Sequence, residues 1–364
     1  MIWSAEESPL VRLPAGEGAD VGARTKLGTL NKEVWFSMKK LIGFAVAGAL
    51  LVALSGCASG GDAGGDSVNG DENDSLVVGF AQVGAESGWR TANTKDIQSA
   101  FKEAGIKLQF SDAQGKQENQ IKAIRSFIQQ QVDVIAFSPV VESGWDTVLN
   151  EAKDAGIPVV LTDRSVDSKD DSLYESFLGS DFIAEGEKAG DWIKEEYADA
   201  DTVKIVELQG TTGAAPANDR AKGLRDSFGD DPKFDIVASQ TGDFTRAGGK
   251  QVMEAFLKSN PDIDLVYAHN DDMGLGAVEA IEAAGLTPGT DIEIVTVDAV
   301  HDGMQALADG KFNFIVECSP LLGGQLVEVV EKVAAGEPVE KRIVTEETTF
   351  TQEEAKIALP DRQY

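Results

Sequence analysis

Cysteine and histidine are nearly absent from this 364-residue chain, at two residues each. Cations are scarce too: 32 Lys+Arg face 62 Asp+Glu, a formal net charge of −30. Two cysteines exclude a disulfide framework or a Cys-rich zinc fold. Two histidines exclude a His-rich metal cluster. The acidic balance excludes non-specific binding to DNA, RNA or an anionic membrane, because each phosphate contact needs a cation. A membrane-spanning run is also missing. The uncharged, almost wholly apolar stretch 41–54 would rise about 21 Å as a helix, short of a hydrocarbon core of about 30 Å. There is no P-loop, no H-E-x-x-H and no G-x-S-x-G elbow. What is present is ordinary globular composition, 42% hydrophobic, which excludes wholesale disorder. The length suggests about two domains of about 150 residues.

The first 75 residues belong to neither domain. Met38-Lys39-Lys40 precedes the apolar stretch, and Leu54-Ser55-Gly56-Cys57 follows it. Basic start, short apolar run, small residues and Cys stand in the order of a lipoprotein signal peptide, with residues 38–57 as signal and Cys57 as the lipidated residue. Residues 1–37 lack an apolar core, so translation is expected to begin at Met38 and the upstream stretch to be a gene-start artefact. Residues 58–75 hold five Gly, five acidic residues and no Lys or Arg. Such a segment buries too little apolar surface to fold and is read as a tether. Most of the negative charge therefore lies beyond it, in the folded part.

From residue 76 onward short β-branched runs alternate with helical patterns, the signature of βαβ units around a parallel sheet. The runs are 76–81, 106–110, 132–137 and 157–162. Helical spacing fills 88–104, 117–130 and 143–155; Ile121, Ile124, Phe127 and Ile128 share one face. Runs at 203–208, 234–238, 263–268 and 292–297 then repeat the plan in the same order. Two consecutive doubly wound α/β domains explain this better than one very long sheet. The fourth strand of each copy ends in an acid, Asp163 in one and Asp298 in the other. Ligands bind at that edge of open α/β sheets. The residues alone leave two roles open for each Asp, ligand contact or helix N-cap.

Polar groups near the strand ends suit a sugar. Carboxylates, Asn and Arg can each pair with hydroxyls, and an aromatic ring can cover a C–H face. The candidates are Glu86, Trp89, Arg90, Asp163 and Arg164 in the first copy. In the second they are Arg220, Phe244, Asn270 and Asp298. Plain structural roles stay open for several: Trp89 as a core residue, Arg90 and Arg220 as surface ion pairs, Asn270 as a helix cap. His269 and His301 lie near strand ends without a third ligand and read as incidental, so no metal and no cofactor is expected. Cys318, left as a free thiol, reads as a small buried apolar residue.

The segments Phe80 to Arg90, Gly115 to Gln120, Leu161 to Ser165 and Tyr267 to Met273 resemble those of galactofuranose-binding proteins of bacterial ABC importers. The resemblance covers essentially residue 76 to the C-terminus. It implies a type I periplasmic binding fold: two Rossmann-like lobes, three hinge crossings and a monosaccharide enclosed between the lobes. By similarity the crossings fall near residues 179–181, 318–320 and 342–346. The lobes are then 76–180 plus 319–345 and 181–318 plus 346–364. Asp163 and Arg164 become hydroxyl binders, and Trp89 and Arg90 stand at the lip of the first lobe. Arg220, Phe244, Asn270 and Asp298 are the partners from the second. Cys318 departs from the Gln of ribose-binding relatives, which argues against ribose. The resemblance further implies no enzymatic activity, a monomer docking on a membrane permease driven by an ATPase, and no nucleic-acid partner. The protein would be extracytoplasmic and held at the membrane by its lipid alone. A sugar sensor presenting its closed form to a chemoreceptor is the alternative. A repressor of the same fold would need a basic N-terminal DNA-binding helix pair, and that place holds the signal and the acidic tether.

Overall fold

The computed structural model describes residues 75–364. The signal peptide, Cys57, the stretch 1–37 and all but the last residue of the tether lie outside the described residues. Within them no helix is long and apolar enough to cross a membrane.

The chain begins with β1 (Val77–Gln82), α1 (Gly88–Glu103), β2 (Lys107–Asp112), α2 (Gln117–Gln129), β3 (Val134–Phe137), α3 (Asp146–Asp154), β4 (Val159–Thr162) and β5 (Ser176–Gly179). It continues through α4 (Phe182–Glu196), β6 (Val203–Gln209), α5 (Ala215–Phe228), β7 (Phe234–Thr241), α6 (Arg246–Ser259), β8 (Leu265–Ala268), α7 (Asp271–Ala283), β9 (Glu293–Asp298), α8 (His301–Ala308) and β10 (Phe314–Glu317). The last elements are α9 (Gly323–Ala334), β11 (Arg342–Val344), β12 (Thr349–Phe350) and α10 (Gln352–Ala358).

Two six-stranded sheets result, ordered β11-β5-β4-β3-β1-β2 and β12-β10-β9-β8-β6-β7. Every pairing is parallel except that of β12 with β10. Central strands such as β3 and β4 are buried at every residue, which is why they read as continuous apolar runs rather than alternating ones. Helices cover both faces of each sheet. Phe127, Trp145 and Leu149 pack on one face of the first sheet, and Ile97, Phe101, Leu326 and Val330 on the other. Met253, Phe256 and Ile281 oppose Phe182, Ile193 and Leu224 across the second.

Four strands per copy were legible, and each sheet has six. The fifth, β5 and β10, are four residues long. The sixth strands are contributed by chain that returns late, β11 to the first sheet and β12 to the second. The path passes between the sheets after β5, after β10 and after β11. In both sheets the strand order reverses between the first and third strands of the copy. Loops after those strands open a crevice at the carboxyl edge, and the two crevices face one another.

Candidate functional site

On the first sheet the site is assembled around two arginines. Ser87 caps α1, its side chain accepting from the Arg90 N–H at 3.1 Å. That sets Arg90 in the first turn, pointing back over the sheet edge. Its Nη2 donates to Asp163 Oδ2 at 2.6 Å, its Nε to Glu86 Oε1 at 3.1 Å and its Nη1 to Gln82 Oε1 at 3.2 Å. Asp163 Oδ2 also accepts from Ser138 Oγ at 2.8 Å. Asp163 follows β4 in a left-handed conformation, φ +63°, a strain that non-glycine residues keep only where the surroundings enforce it. Arg164 donates to the Val140 carbonyl at 3.3 Å and approaches Glu86 Oε1 at 3.5 Å. Burial alone would raise the carboxyls of Asp163 and Glu86. The guanidiniums of Arg90 and Arg164 outweigh it and hold both below their ordinary values. Burial, followed by repulsion from Arg90, pushes Arg164 down to about 10, so it stays charged at neutral pH.

On the second sheet Arg220 extends from α5. Its Nε donates to Glu185 Oε2 at 2.7 Å and its Nη1 to the His269 carbonyl at 2.5 Å; its Nη2 lies 4.0 Å from Asp298 Oδ1. Asp298 ends β9 at φ +126°. Burial pushes its carboxyl well up; Arg220 opposes this, while Asp271 and Glu185 reinforce it. Phe244 sits at φ +59° between β7 and α6. Its ring occupies the space above Gly210, where any Cβ would collide with it. Asn270 caps α7 through Oδ1, accepting from Met273 N–H at 3.0 Å, and its Nδ2 donates to the Phe244 carbonyl at 3.1 Å.

The halves meet around a small cavity. Glu86, Trp89, Arg90, Asp163 and Arg164 line it from one sheet and Arg220, Phe244, Asn270 and Asp298 from the other. Neither Asp is a helix cap: α8 is capped at Val300 without a side-chain bond, and no α-helix starts directly after β4. Arg90 and Arg220 are 2% and 3% exposed, so they are not surface ion pairs. Trp89 and Arg90, expected at the lip of the first lobe, lie where the two lobes meet. Both are buried, and the Trp89 indole N–H donates to the Cys318 carbonyl at 2.6 Å, packing into the apolar cluster of the other lobe.

Ser87, Phe182, Pro216 and Cys318 also line the cavity and were not singled out as lining residues. The Phe182 ring faces the Arg220 guanidinium at 5.1 Å. Its only sequence signal is its place just past a crossing. Of the two histidines, His269 is buried with Nε2 3.1 Å from Glu207 Oε1, and His301 is exposed. Burial lowers the His269 pKa, with Glu207 opposing. Its ring braces the strand end rather than facing the cavity.

Contacts across the crevice bracket the cavity. Gly88 N–H donates to Asp272 Oδ2 at 2.7 Å. Asn218 Nδ2 donates to Glu142 Oε2 at 2.5 Å, and Glu142 N–H to the Gly213 carbonyl at 2.9 Å. Arg164 lies 5.3 Å from the Phe244 ring centre. At the crossings, Glu347 Oε1 accepts from Ser180 Oγ at 2.5 Å, Ser319 N–H at 3.0 Å and Thr345 Oγ1 at 3.0 Å, one donor from each. Glu347, Glu185 and Cys318 bring ligand-type atoms within 4.8 Å of one another. Burial, opposed by Arg220 and helped by Glu347, raises Glu185 to about 8, and burial pushes the Cys318 thiol up.

Comparisons with known proteins agree with this geometry. Residues 78–338 match a family described as periplasmic binding protein domain. The galactofuranose-binding protein YtfQ of Escherichia coli is 47% identical over 292 residues, covering 79% of this chain and 92% of that protein. A Mycobacterium smegmatis protein solved in complex with β-D-fucofuranose is 66% identical, with a TM-score of 0.78, covering 80% of this chain and 96% of that one. The binding component of a Shewanella arabinose ABC transporter, bound to α- and β-L-arabinofuranose, is 49% identical, with a TM-score of 0.76, over 79% of this chain and 96% of that one. Two facing parallel-sheet lobes, a buried polar cavity between them and a match along most of the chain lead to one conclusion: this chain belongs to the periplasmic binding protein family.

Proposed function

We propose that this protein captures a furanose sugar between its lobes and delivers it to an ABC importer, with galactofuranose as the best single assignment. The observation that carries the reading is the cavity itself. Carboxylates, guanidiniums and an amide converge on it from both sheets, with the Trp89 and Phe244 rings beside them. Glu86 Oε2 and Arg164 Nε are buried there without a hydrogen-bond partner among the described residues, a state a polyhydroxylated ligand relieves. The nine residues are assigned as ligand contacts on this basis. The sugars bound by the relatives support the ring form. Galactofuranose, β-D-fucofuranose and L-arabinofuranose share one configuration around the five-membered ring. They differ in the tail: a diol, the same tail lacking its terminal hydroxyl, and a lone hydroxymethyl.

The lobes, 76–180 plus 319–345 and 181–318 plus 346–364, close on the sugar. Only contacts stronger in the closed form can drive that step. The closed monomer then docks on a permease powered by an ATPase. It does so outside the cytoplasm, held by a lipid on Cys57 after removal of the signal from Met38, with residues 58–75 as tether. The role is binding, without catalysis. The test is a thermal-shift screen with D-galactose, D-fucose, L-arabinose and D-ribose, since a ligand raises the melting temperature by mass action. Carbon-13 NMR of the bound sugar, labelled at C1, then reads its ring form. A furanose signal and no shift with ribose are expected. A bound pyranose, or a shift with ribose alone, overturns the assignment.

A further inference from the structure

Beyond the inner cavity lies a second one of about 500 Å³, larger than the first. Its walls come from both lobes: Gly84 and Glu86 after β1, Gly115 after β2, Val140 after β3, Thr211 after β6, Thr245 before α6. These loops lie toward the sheet edges opposite the crossings. Glu86 is common to both cavities. One carboxylate oxygen is held by Arg90, while Oε2 is buried without a partner among the described residues and lies near Gly84.

The lobes already touch around this chamber. The Glu142 contacts to Gly213 and Asn218 and the Gly88 contact to Asp272 are formed, so the space persists with the lobes in contact. We infer that the outer chamber receives a second, neutral sugar unit joined to the furanose in the inner cavity, so that the protein takes up short furanosides as well as the monosaccharide. This rests on the furanose reading proposed above.

The lining decides the chemical class. It contains no Lys or Arg, and Glu86 and Asp243 are acidic, so a phosphate or uronate substituent meets repulsion with no counter-charge. No aromatic ring faces the chamber, which removes the stacking that a nucleobase would need. Small residues and hydroxyls remain, suited to a hydroxylated unit with bridging water. Its volume of about 500 Å³ falls within the range of about 300–1,000 Å³ typical of small-molecule sites.

The experiment is calorimetry with three probes. They are the free sugar of the thermal-shift screen, counted by its furanose fraction, a neutral disaccharide of two identical furanosyl units, and the corresponding furanose 1-phosphate. Two identical units let either end of the inner sugar carry the substituent. The disaccharide is expected to bind wild type within about tenfold of the free furanose, and the phosphate to be at least about tenfold weaker than the disaccharide. Thr211→Trp, which fills the chamber, is expected to weaken the disaccharide at least about tenfold and leave the free furanose within about threefold. A disaccharide more than about tenfold weaker than the free furanose in wild type, which needs no variant to fold, overturns the inference. So does a Thr211→Trp effect equal for both sugars, or a phosphate that binds as well as the disaccharide. If no furanose binds at all, the sugar reading itself fails, an outcome distinct from these.

Discussion

Asp163 shows how much one side chain carries. It is 4% exposed and takes hydrogen bonds from Arg90 and Ser138 on one oxygen. Removing it leaves Arg90 Nη2 and the Ser138 hydroxyl without their acceptor in a buried crevice. Asp163→Ala is predicted to weaken sugar binding by about 2–4 kcal/mol; calorimetric affinity within twofold of wild type would refute its role. Glu185 makes a different prediction. Its carboxyl is raised to about 8 in the folded state from an ordinary value of 4.5. A raised carboxyl contributes stability that is fully present below about pH 4.5 and is lost as pH rises through about 8. Glu185→Gln, which cannot ionise, is predicted to gain stability relative to wild type between about pH 5 and pH 9 in urea unfolding. A constant difference across that window would count against the raised pKa. Asp163 and Asp298 were legible because a strand ends at each. Glu185 was not, because its work is to hold Arg220 and only the packing of α4 on α5 makes them meet.

That helix pair is the decisive element. Gly186 of α4 and Gly223 of α5 face the partner backbone so closely that a Cβ on Gly223 would collide with the Ile183 carbonyl, and one on Gly186 with the Arg220 carbonyl. The approach seats Arg220 on Glu185 and aims it at Asp298. Gly223→Ala is predicted to cost about 1–3 kcal/mol of stability and to weaken sugar binding as Arg220 shifts. Urea unfolding beside calorimetry checks both, and unchanged affinity would show that Arg220 tolerates the displacement. Helix positions were readable from spacing: α1 and α2 end within a residue of expectation, and α3 begins at Asp146 rather than Ser143. β5 and β10 were not read although they are as long as β3, β4 and β8, and β11 and β12 were missed because three and two residues make too short a pattern.

At the scale of the molecule, function depends on two lobes meeting. Asp272, of the second lobe, accepts from the Gly88 N–H at the start of α1 and also faces Arg246 at 3.3 Å. It lines neither cavity. Asp272→Ala removes a contact present only when the lobes touch. It is predicted to weaken sugar affinity by about 1 kcal/mol and to raise the radius of gyration of the ligand-free protein in X-ray scattering. Unchanged affinity and radius would mean that this contact does not favour closure.

The chain order of polar and apolar residues was enough to establish two α/β repeats and to single out nine residues that line one cavity. Strand ends are local events: an apolar run stops, and the next polar residues stand at the carboxyl edge. The facing of the crevices was decided elsewhere. Trp89 reaches Cys318, some 229 residues away, and Glu347 gathers donors from all three crossings. The outer chamber exists only because five loops from two lobes stop short of filling it. Such features depend on distances between segments remote in sequence, and periodicity, which reports neighbours along the chain, contains no information about those distances.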